Sequence, residues 1–248
     1  MARISAFVSI GLVMATAMCV YADWDYMLFE EQWAPGACWQ GGKTLVNIQG
    51  LGRHHHSGSK ECDIPAVASD GFTIHGSWPT KDGSEGPNYC NDSWPFSPAP
   101  IQDLVSDLDV FWPSFYGPNA EFWSHEWDKH GVCAAQLPAL NSEHKFFDFV
   151  LELRKKHDFK QYFADGGVLP SQDRTYSFTN MTKTVQNAIG VAPFLSCQQG
   201  GDGAQYLSAL AVCIGRTLAI TECPVEVFSE RGHCQSDTPI TYLPHKAM

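Results

Sequence analysis

The sequence predicts one α+β domain held together by disulfide bonds, and three observations support this prediction. Helical patterns occupy the middle of the chain while strand patterns lie towards both ends, which is typical of an α+β arrangement. No linker or internal repeat divides the 248 residues, and the chain is long enough to bury a sizeable core. Nine cysteines are present. We therefore expect a single domain with a disulfide framework.

The first 22 residues have the pattern of a secretory signal peptide. Arg3 precedes an apolar run, and Ala22 provides a small residue at the expected cleavage site. The run is short for a membrane span and no second one follows, so we expect no membrane span in the mature chain. The sequence thus predicts a signal peptide over residues 1–22, one folded domain over residues 23–248, and a secreted or lysosomal location.

Eight cysteines remain once the signal peptide has taken Cys19 with it. An even number in a secreted chain indicates disulfide bonds, here four, although the sequence alone allows many ways of pairing them. Two sequons on the same route predict glycosylation at Asn91 and Asn180. The eight cysteines are Cys38, Cys62, Cys90, Cys133, Cys197, Cys213, Cys223 and Cys234.

The overall charge limits how this protein contacts nucleic acid. A formal net charge of −11 argues against a broad basic surface, although it does not exclude a locally cationic site. Ten histidines bring the charge towards neutrality in acid, which suits an acidic compartment or secretion.

Two strands are predicted in the first part of the domain. An aromatic-rich segment from Asp25 to Trp33 precedes a Pro and a Gly, which favours a strand entering a turn. A second strand, Gly71 to Pro79, alternates between apolar and polar residues. A histidine in a strand is usually structural, so His75 becomes a functional candidate only if it faces other titratable groups. The expected apolar face holds Phe72, Ile74 and Trp78, and the other face holds Thr73, His75 and Ser77.

The segment between these strands, Gly41 to Ser59, has a loop-like composition and contains His54, His55 and His56. Three consecutive histidines can bind a metal, but an exposed loop without other ligands nearby is the favoured interpretation. We therefore assign no metal site to this loop.

Helices are predicted in the middle of the chain and strands after them. Pro100 and Pro113 delimit one helix, Asn141 or Ser142 can cap a second that extends to Asp158, and a third ends at Gly190. Strands follow, with a turn at Gly215 between the last two, where a Cys213 to Cys223 bond would bridge a hairpin. The helices are Ile101 to Trp112, Asn141 to Asp158 and Thr182 to Ile189; the strands are Phe194 to Cys197, Tyr206 to Ile214 and Leu218 to Cys223.

The most informative stretch, FWSHEWDKHGVC, runs from Phe122 to Cys133. At about 100° per residue, an α-helix ending at Gly131 places its polar groups in one wedge of about 140° and its tryptophans on the far side. The polar wedge offers an acid, a permanent cation and two groups that titrate near neutrality. The groups are His125, Glu126, Lys129 and His130, and Phe122 lies in the same wedge.

Two other interpretations fit this stretch less well. Charges three and four residues apart usually form a solvated helix face, but histidines beside tryptophans are less ordinary there. A zinc-binding His-Glu-x-x-His helix needs its second histidine at i+4, where this chain has Lys129, and His130 lies about 140° from His125. The sequence therefore predicts no metal and no cofactor.

A strand histidine facing this helix suits metal-independent cleavage of RNA. One imidazole takes the proton of the ribose 2′-hydroxyl and another protonates the leaving 5′-oxygen, which two histidines can do in mild acid. A lysine stabilises the charge on the five-coordinate phosphate, and a neighbouring carboxyl orients an imidazole or, when protonated, hydrogen-bonds the phosphate.

The segments FTIHGSWP (72–79) and FWSHEWDKHGVC (122–133) resemble, in the usual order, the two active-site segments of the ribonuclease T2 family. A weaker resemblance extends over most of the domain, including Gln32-Trp33, Ser93-Trp94-Pro95 and the cysteine spacing. The resemblance implies a single-domain α+β fold with a central antiparallel sheet and several helices. It also implies an endoribonuclease that converts single-stranded RNA to 2′,3′-cyclic phosphate ends. We expect the protein to be a monomer.

The resemblance also assigns roles to the catalytic candidates. His130 would be the general base and His75 the general acid. Lys129 and Glu126 would stabilise the transition state, and His125 would hold the phosphate.

The same resemblance implies base-binding residues and disulfide pairs. Trp78 and Phe122 are the expected stacking platforms, and Gln32 is a weaker candidate. The implied pairs are Cys38 with Cys62, Cys90 with Cys133, Cys197 with Cys234, and Cys213 with Cys223.

Three features depart from the family pattern. Ser77 replaces the usual leucine, and by alternation it is expected on the side of His75. Val132 replaces a threonine, which removes a hydroxyl beside Cys133. The stretch Arg53 to Lys60 resembles an insertion.

The competing hypothesis is a secreted glycoprotein that acts by binding a receptor or surface, with the nuclease site silent. Such a protein would have no chemical need for His75, His125 and His130 together, so the endoribonuclease is favoured. A zinc hydrolase is a second alternative, which the spacing of the possible ligands disfavours. It would be inhibited by chelators.

Overall fold

A computed structural model of the protein describes residues 23–40, 43–44, 62–84, 86–201, 203–224 and 232–245. The predicted signal peptide and the loop containing His54, His55 and His56 lie outside these residues. The described strands are β1 (Tyr26–Gln32), β2 (Trp39–Gln40), β3 (Lys43–Thr44), β4 (Thr73–Thr80), β5 (Thr175–Tyr176), β6 (Phe194–Gln199), β7 (Gln205–Gly215), β8 (Ile220–Thr221) and β9 (Ile240–Thr241). The described α-helices are α1 (Ala34–Ala37), α2 (Val105–Phe111), α3 (Asn119–Glu126), α4 (Val132–Ala134), α5 (Glu143–Lys156), α6 (Phe159–Asp165) and α7 (Phe178–Ile189). A π turn spans Trp127–Gly131, and 3-10 segments span Ala66–Asp70, Ala99–Ile101 and Pro138–Leu140.

One mainly antiparallel sheet forms the centre of this α+β fold, as predicted. Its strands follow the order β4, β1, β7, β9 and β5, and β6 and β8 also pair with β7. The pairing of β7 with β9 is parallel, whereas β1 is antiparallel to both of its neighbours. Every residue of β1 is buried because the strand lies between β4 and β7. Side chains of β1 are therefore well placed to contact the side chains of β4.

The two faces of the sheet carry different apolar clusters. The main core contains Phe29 and Ile74 from the sheet together with Phe146 of α5 and many further side chains. A smaller cluster on the opposite face contains Leu28 of β1 and Trp78 of β4. Adjacent residues of β1 thus alternate between the clusters, as a pleated strand requires.

A bulge interrupts the predicted alternation in β4. Strand β1 pairs Glu30 with Gly76 but Glu31 with Ile74, so His75 is an extra residue in β4 with no residue of β1 directly opposite. A bulge of one residue shifts the following side chains to the other face. The alternation after His75 is therefore out of phase with the alternation before it.

This phase shift corrects two predictions. Ile74 and Trp78 were expected on one face, but they lie in the two different clusters. Ser77 was expected beside His75, but it is fully buried and its hydroxyl is 4.0 Å from the sulfur of Met27, a residue of the main core. Strand periodicity alone does not reveal an inserted residue.

The helices are found near their predicted positions. The hydroxyl of Ser142 accepts a hydrogen bond from the Lys145 amide at the start of α5, and Gly190 ends α7 with a φ of 86°. The sequence prediction missed α6, which begins where the Asp158 side chain accepts from the Gln161 amide. The helix predicted from Ile101 to Trp112 is a 3-10 turn followed by α2, and of the strand predicted from Leu218 to Cys223 only β8 forms.

Four disulfide bonds connect the described cysteines in the pairing that the resemblance implied. The bond between Cys90 and Cys133 ties the helical segment containing the π turn to the loop after β4. The remaining bonds join Cys38 to Cys62, Cys197 to Cys234, and Cys213 to Cys223.

Candidate active site

Helix α3, the π turn and α4 form one continuous helical segment. The prediction that this helix ends at Gly131 was wrong, because Gly131 is helical with φ of −59° and ψ of −41°. A Cβ at this position would collide with the indole of Trp127. That indole is fully buried, and its Nε1 donates to the carbonyl of Trp94. Gly131 thus permits close packing of Trp127 and does not end the helix.

The π turn brings the two helix histidines together. In this geometry hydrogen bonds run from residue i to i+5, so side chains five residues apart are neighbours. The ring centroids of His125 and His130 are 6.4 Å apart. An α-helix would have separated these residues by about 140° around its axis.

Strand β4 contributes an imidazole and an indole to the same place. The ring of Trp78 has its centroid 4.9 Å from that of His75 and 5.8 Å from that of His130. Its Nε1 donates a 2.8 Å hydrogen bond to Oε2 of Glu126. A Cβ on Gly76 would collide with both partners of this bond. The glycine within the bulge therefore allows the sheet to approach the helix.

All five predicted catalytic side chains line one cavity of about 190 Å³. Phe122 lies beside it, with its ring 6.2 Å from the ring of His75. Gln32 is buried within the sheet, paired with Thr73 and Ala209, and does not line the cavity. The lining residues are His75, Trp78, Asn88, His125, Glu126, Lys129 and His130.

Sequence reasoning missed Asn88. This residue lies two positions before Cys90, and the amide of its neighbour Tyr89 donates to the carbonyl of Lys129. The disulfide and this hydrogen bond together hold the loop against the helical segment. Because both contacts are made across the fold, no local pattern identifies Asn88.

Glu126 has an environment that favours its protonated form. It is 2% exposed, and burial raises the pKa of its carboxyl to about 7. The charge of His75, the hydrogen bond from Trp78 and the charge of Lys129 oppose this rise, whereas Glu30 adds to it. A carboxyl that titrates near neutrality can donate a hydrogen bond in mild acid.

The pKa of His125 is lowered, whereas that of Glu126 is raised. Desolvation lowers its pKa, as do the charges of Lys129 and His75, while Asp128 acts in the other direction. Its imidazolium therefore forms at a lower pH than that of an isolated histidine. Any electrostatic contribution of His125 to anion binding is expected to increase as the pH falls.

The π turn also changes the basis of the argument against a metal. His125, Glu126 and His130 each offer one ligand atom, and these atoms lie within 4.8 Å of one another. The expectation of no metal, drawn from α-helical spacing, does not follow from this geometry. Two chemical facts nevertheless disfavour a resident cation: Lys129 lines the same cavity, and burial favours the proton on Glu126.

Comparison with known proteins identifies the family. The sequence matches the model of the ribonuclease T2 family over residues 24–223. The chain belongs to the ribonuclease T2 family. It is therefore an endoribonuclease of the T2 type, as the resemblance of its two motifs implied.

Individual members of the ribonuclease T2 family are similar over most of their length. Ribonuclease Oy of Magallana gigas is 32% identical over 90% of this chain and 97% of its own. Ribonuclease T2 of Sus scrofa is 37% identical over 75% of this chain and 90% of its own. The crystal structure of human RNase T2 aligns with a TM-score of 0.70 and 29% identity, covering 90% of this chain and all of that one. RNase NT in complex with 5′-AMP aligns with a TM-score of 0.71 and 25% identity, covering 90% of this chain and 99% of that one.

Among the described residues, no helix is both long enough and apolar enough to cross a membrane.

Proposed function

We propose that the cavity cleaves single-stranded RNA by transphosphorylation without a metal. His130 accepts the proton of the ribose 2′-hydroxyl while the 2′-oxygen bonds to phosphorus. The bond from phosphorus to the 5′-oxygen breaks, and His75 donates a proton to that oxygen. The products are a 2′,3′-cyclic phosphate and a free 5′-hydroxyl.

One observation carries this proposal. The imidazoles of His75 and His130 come from different elements, yet both lie against the indole of Trp78 and line the same cavity. A base and an acid on either side of one phosphate are what the two proton transfers need.

The remaining groups suit a phosphate that gains negative charge. Lys129 lines the cavity and, in the proposal, stabilises the five-coordinate phosphate. Glu126 donates a hydrogen bond to it when protonated, and His125 binds it as an imidazolium. Both contributions increase as the pH falls, because burial raises the pKa of Glu126 to about 7 and His125 gains charge in acid.

The bases adjacent to the cleaved bond are proposed to stack on aromatic rings. Trp78 and Phe122 both lie near His75, with ring centroids 4.9 and 6.2 Å from its imidazole. Stacking of this kind accepts any base and favours unpaired strands. Gln32, which is buried in the sheet, remains the weaker candidate.

The test measures cleavage of single-stranded RNA in mild acid with EDTA present. The wild type is expected to yield 2′,3′-cyclic phosphate ends, and His130→Ala is expected to lose about 10²-fold or more of that activity. His144→Ala is the matched control and should leave the rate unchanged, since His144 is paired with Asp103 and does not line the cavity.

Folded wild-type protein that forms no cyclic ends would contradict the proposal and favour the receptor-binding alternative. Activity that EDTA abolishes would indicate a metal mechanism, with His125, Glu126 and His130 as the ligands to test.

We further propose that the protein is a monomer that passes through the secretory pathway with glycans on Asn91 and Asn180. The four disulfide bonds support an oxidising compartment, and both asparagines are exposed. Expression in a secreting eukaryotic cell, followed by mass spectrometry of the secreted product, tests the cleavage after Ala22 and both glycans. Light scattering on the same sample tests the monomer. An intracellular product that retains residues 1–22 would contradict the secretion proposal.

A further inference from the structure

A buried carboxylate that neither motif contains lies against the proposed general acid. Oε1 of Glu30 is 2.7 Å from Nδ1 of His75. The Glu30 side chain is 8% exposed, whereas that of His75 is 42% exposed. The contact therefore anchors the inner edge of an imidazole whose outer edge reaches solvent.

The contact lies at the bulge in β4. Glu30 pairs with Gly76, and the extra residue His75 stands next to that pair on the same face of the sheet. The neighbouring Glu31 pairs with Ile74 and faces the main core. Because the side chains after the bulge are shifted to the other face, Trp78 also lies on the face of Glu30, where it pairs with Leu28.

We propose that Glu30 is a positioning residue that directs Nδ1–H of His75 towards the sheet and thereby leaves Nε2 to carry the proton given to the 5′-oxygen. This inference rests on the proposed function, in which His75 is the general acid. A carboxylate that accepts from one ring nitrogen fixes both the tautomer and the orientation of an imidazole. Loss of its charge would also destabilise the imidazolium that must form before proton donation.

The other charged groups around His75 come from the helical segment. His125 and Glu126 approach from α3, and Lys129 and His130 from the π turn. Lys129 and protonated histidines disfavour a positive charge on His75, whereas Glu30 favours it. Glu30 also raises the pKa of Glu126, so its charge supports the protonated form of two neighbouring groups.

The decisive variant is Glu30→Gln, which keeps the size and an acceptor oxygen but removes the charge. The measurement is kcat/KM against pH over roughly pH 4 to pH 8. We expect the alkaline limb of the profile to move towards acid by about one pH unit. The rate above that limb should fall about tenfold, while the rate at the acidic plateau changes much less.

Glu31→Gln is the matched control, because it makes the same substitution one residue away on the opposite face of β1. It should leave the pH profile of activity in place. An NMR titration of His75 in a His130→Ala background gives a direct readout, and Glu30→Gln is expected to lower the pKa of His75 there.

Three outcomes separate this inference from the function on which it rests. If His75→Ala retains full activity, the proposed function fails and the role of Glu30 fails with it. If His75→Ala is inactive but folded Glu30→Gln leaves the alkaline limb unmoved, the inference alone is overturned. If Glu31→Gln moves the limb as far as Glu30→Gln does, a general effect on the sheet explains both and the inference is also overturned.

Discussion

Two adjacent glutamates on β1 show how differently the two faces of the sheet use a buried acid. Glu30 contacts the imidazole of His75 beside a solvent-connected cavity. Glu31 is fully buried on the other face, where the nearest charged partner is Arg154 of α5. The carboxyl of Glu30 thus lies at the candidate active site, and that of Glu31 lies in the core. The pleat of β1 maintains this separation, because adjacent residues of a strand face opposite sides of the sheet, Glu30 with His75 and Glu31 with Ile74.

On the core face, Arg154 compensates only weakly for the burial of the Glu31 carboxyl. Nε of Arg154 lies 3.4 Å from Oε2 of Glu31, but it donates its hydrogen to the carbonyl of Phe72. Neither carboxyl oxygen of Glu31 has a hydrogen-bond partner among the described residues. Burial consequently outweighs the attraction of Arg154 and raises the pKa of Glu31 to about 8. A neutral Glu31 is favoured at acidic pH despite the short distance to a cation.

The largest effect is expected from Arg154→Ala, which tests the core face. Above pH 8, where Glu31 is ionised, removal of Arg154 leaves a buried carboxylate without its cation and should lower the free energy of unfolding by roughly 3–5 kcal/mol. Urea denaturation measures this loss. Activity per folded molecule should stay unchanged, because Arg154 does not line the cavity.

The double variant Glu31→Gln/Arg154→Met is the control for Arg154→Ala. It removes both charges and should recover most of the lost stability. An Arg154→Ala protein as stable as the wild type would mean that Glu31 needs no partner on the core face.

Variants of Glu126 test the cavity face with the next largest effect. Glu126→Ala should lower kcat/KM by about 10²- to 10³-fold, since it removes a proposed hydrogen bond to the phosphate in the transition state. Glu126→Gln should lose less, because its amide still donates. In the wild type this contribution is present below pH 7 and is lost as the pH rises through about 7, whereas the amide of Gln does not titrate.

The comparison of the two Glu126 variants is decisive. Equal activities of Glu126→Gln and Glu126→Ala across the whole pH range would exclude hydrogen-bond donation by the side chain at this position.

The sequence predicted the members of this site because they occur in two short motifs. His75, Glu126 and His130 are close in the chain or belong to a recognisable pair of segments, and the structure brings them into one cavity. Glu30 and Asn88 were missed because their positions depend on strand register and on a disulfide between distant segments.

The phase of β4 and the π turn were also beyond local patterns. Strict alternation assumes that both strands advance together, and the bulge at His75 breaks that assumption. Within the π turn Trp127 packs directly against Gly131, a contact that helical periodicity does not describe. The start of α6 could have been predicted from the sequence. Asp158 is a common capping residue, and it precedes a segment in which Phe159 and Phe163 are four residues apart.

For each pH unit a smaller effect is expected from Glu31→Gln, and its sign follows from the raised pKa. The folded state binds the Glu31 proton more tightly than the unfolded state, where the pKa is 4.5. The resulting stability is fully present below pH 4.5 and is lost as the pH rises through about 8. Glu31→Gln should remove this slope of up to about 1.4 kcal/mol per pH unit.

Urea denaturation of wild type and Glu31→Gln at acidic and alkaline pH measures the difference. As the pH rises, the free energy of unfolding of Glu31→Gln should increase relative to that of the wild type. Glu152→Gln, an exposed substitution on α5, is the control and should track the wild type. Parallel pH profiles for wild type and Glu31→Gln would show that Glu31 remains charged in the fold.

The smallest effect is expected from Ser77→Ala, and it tests the boundary between the two faces. Because the bulge turns Ser77 towards Met27 and the main core, its hydroxyl contacts, within the described part of the chain, only a weak sulfur acceptor at 4.0 Å. The substitution should change the free energy of unfolding by less than about 1 kcal/mol and leave kcat/KM within about twofold of the wild type. A shifted pH profile or altered base preference in Ser77→Ala would instead place this hydroxyl beside His75. Strand β4 would then alternate without a bulge, and Trp78 would be expected on the face of Ile74 instead of beside His75.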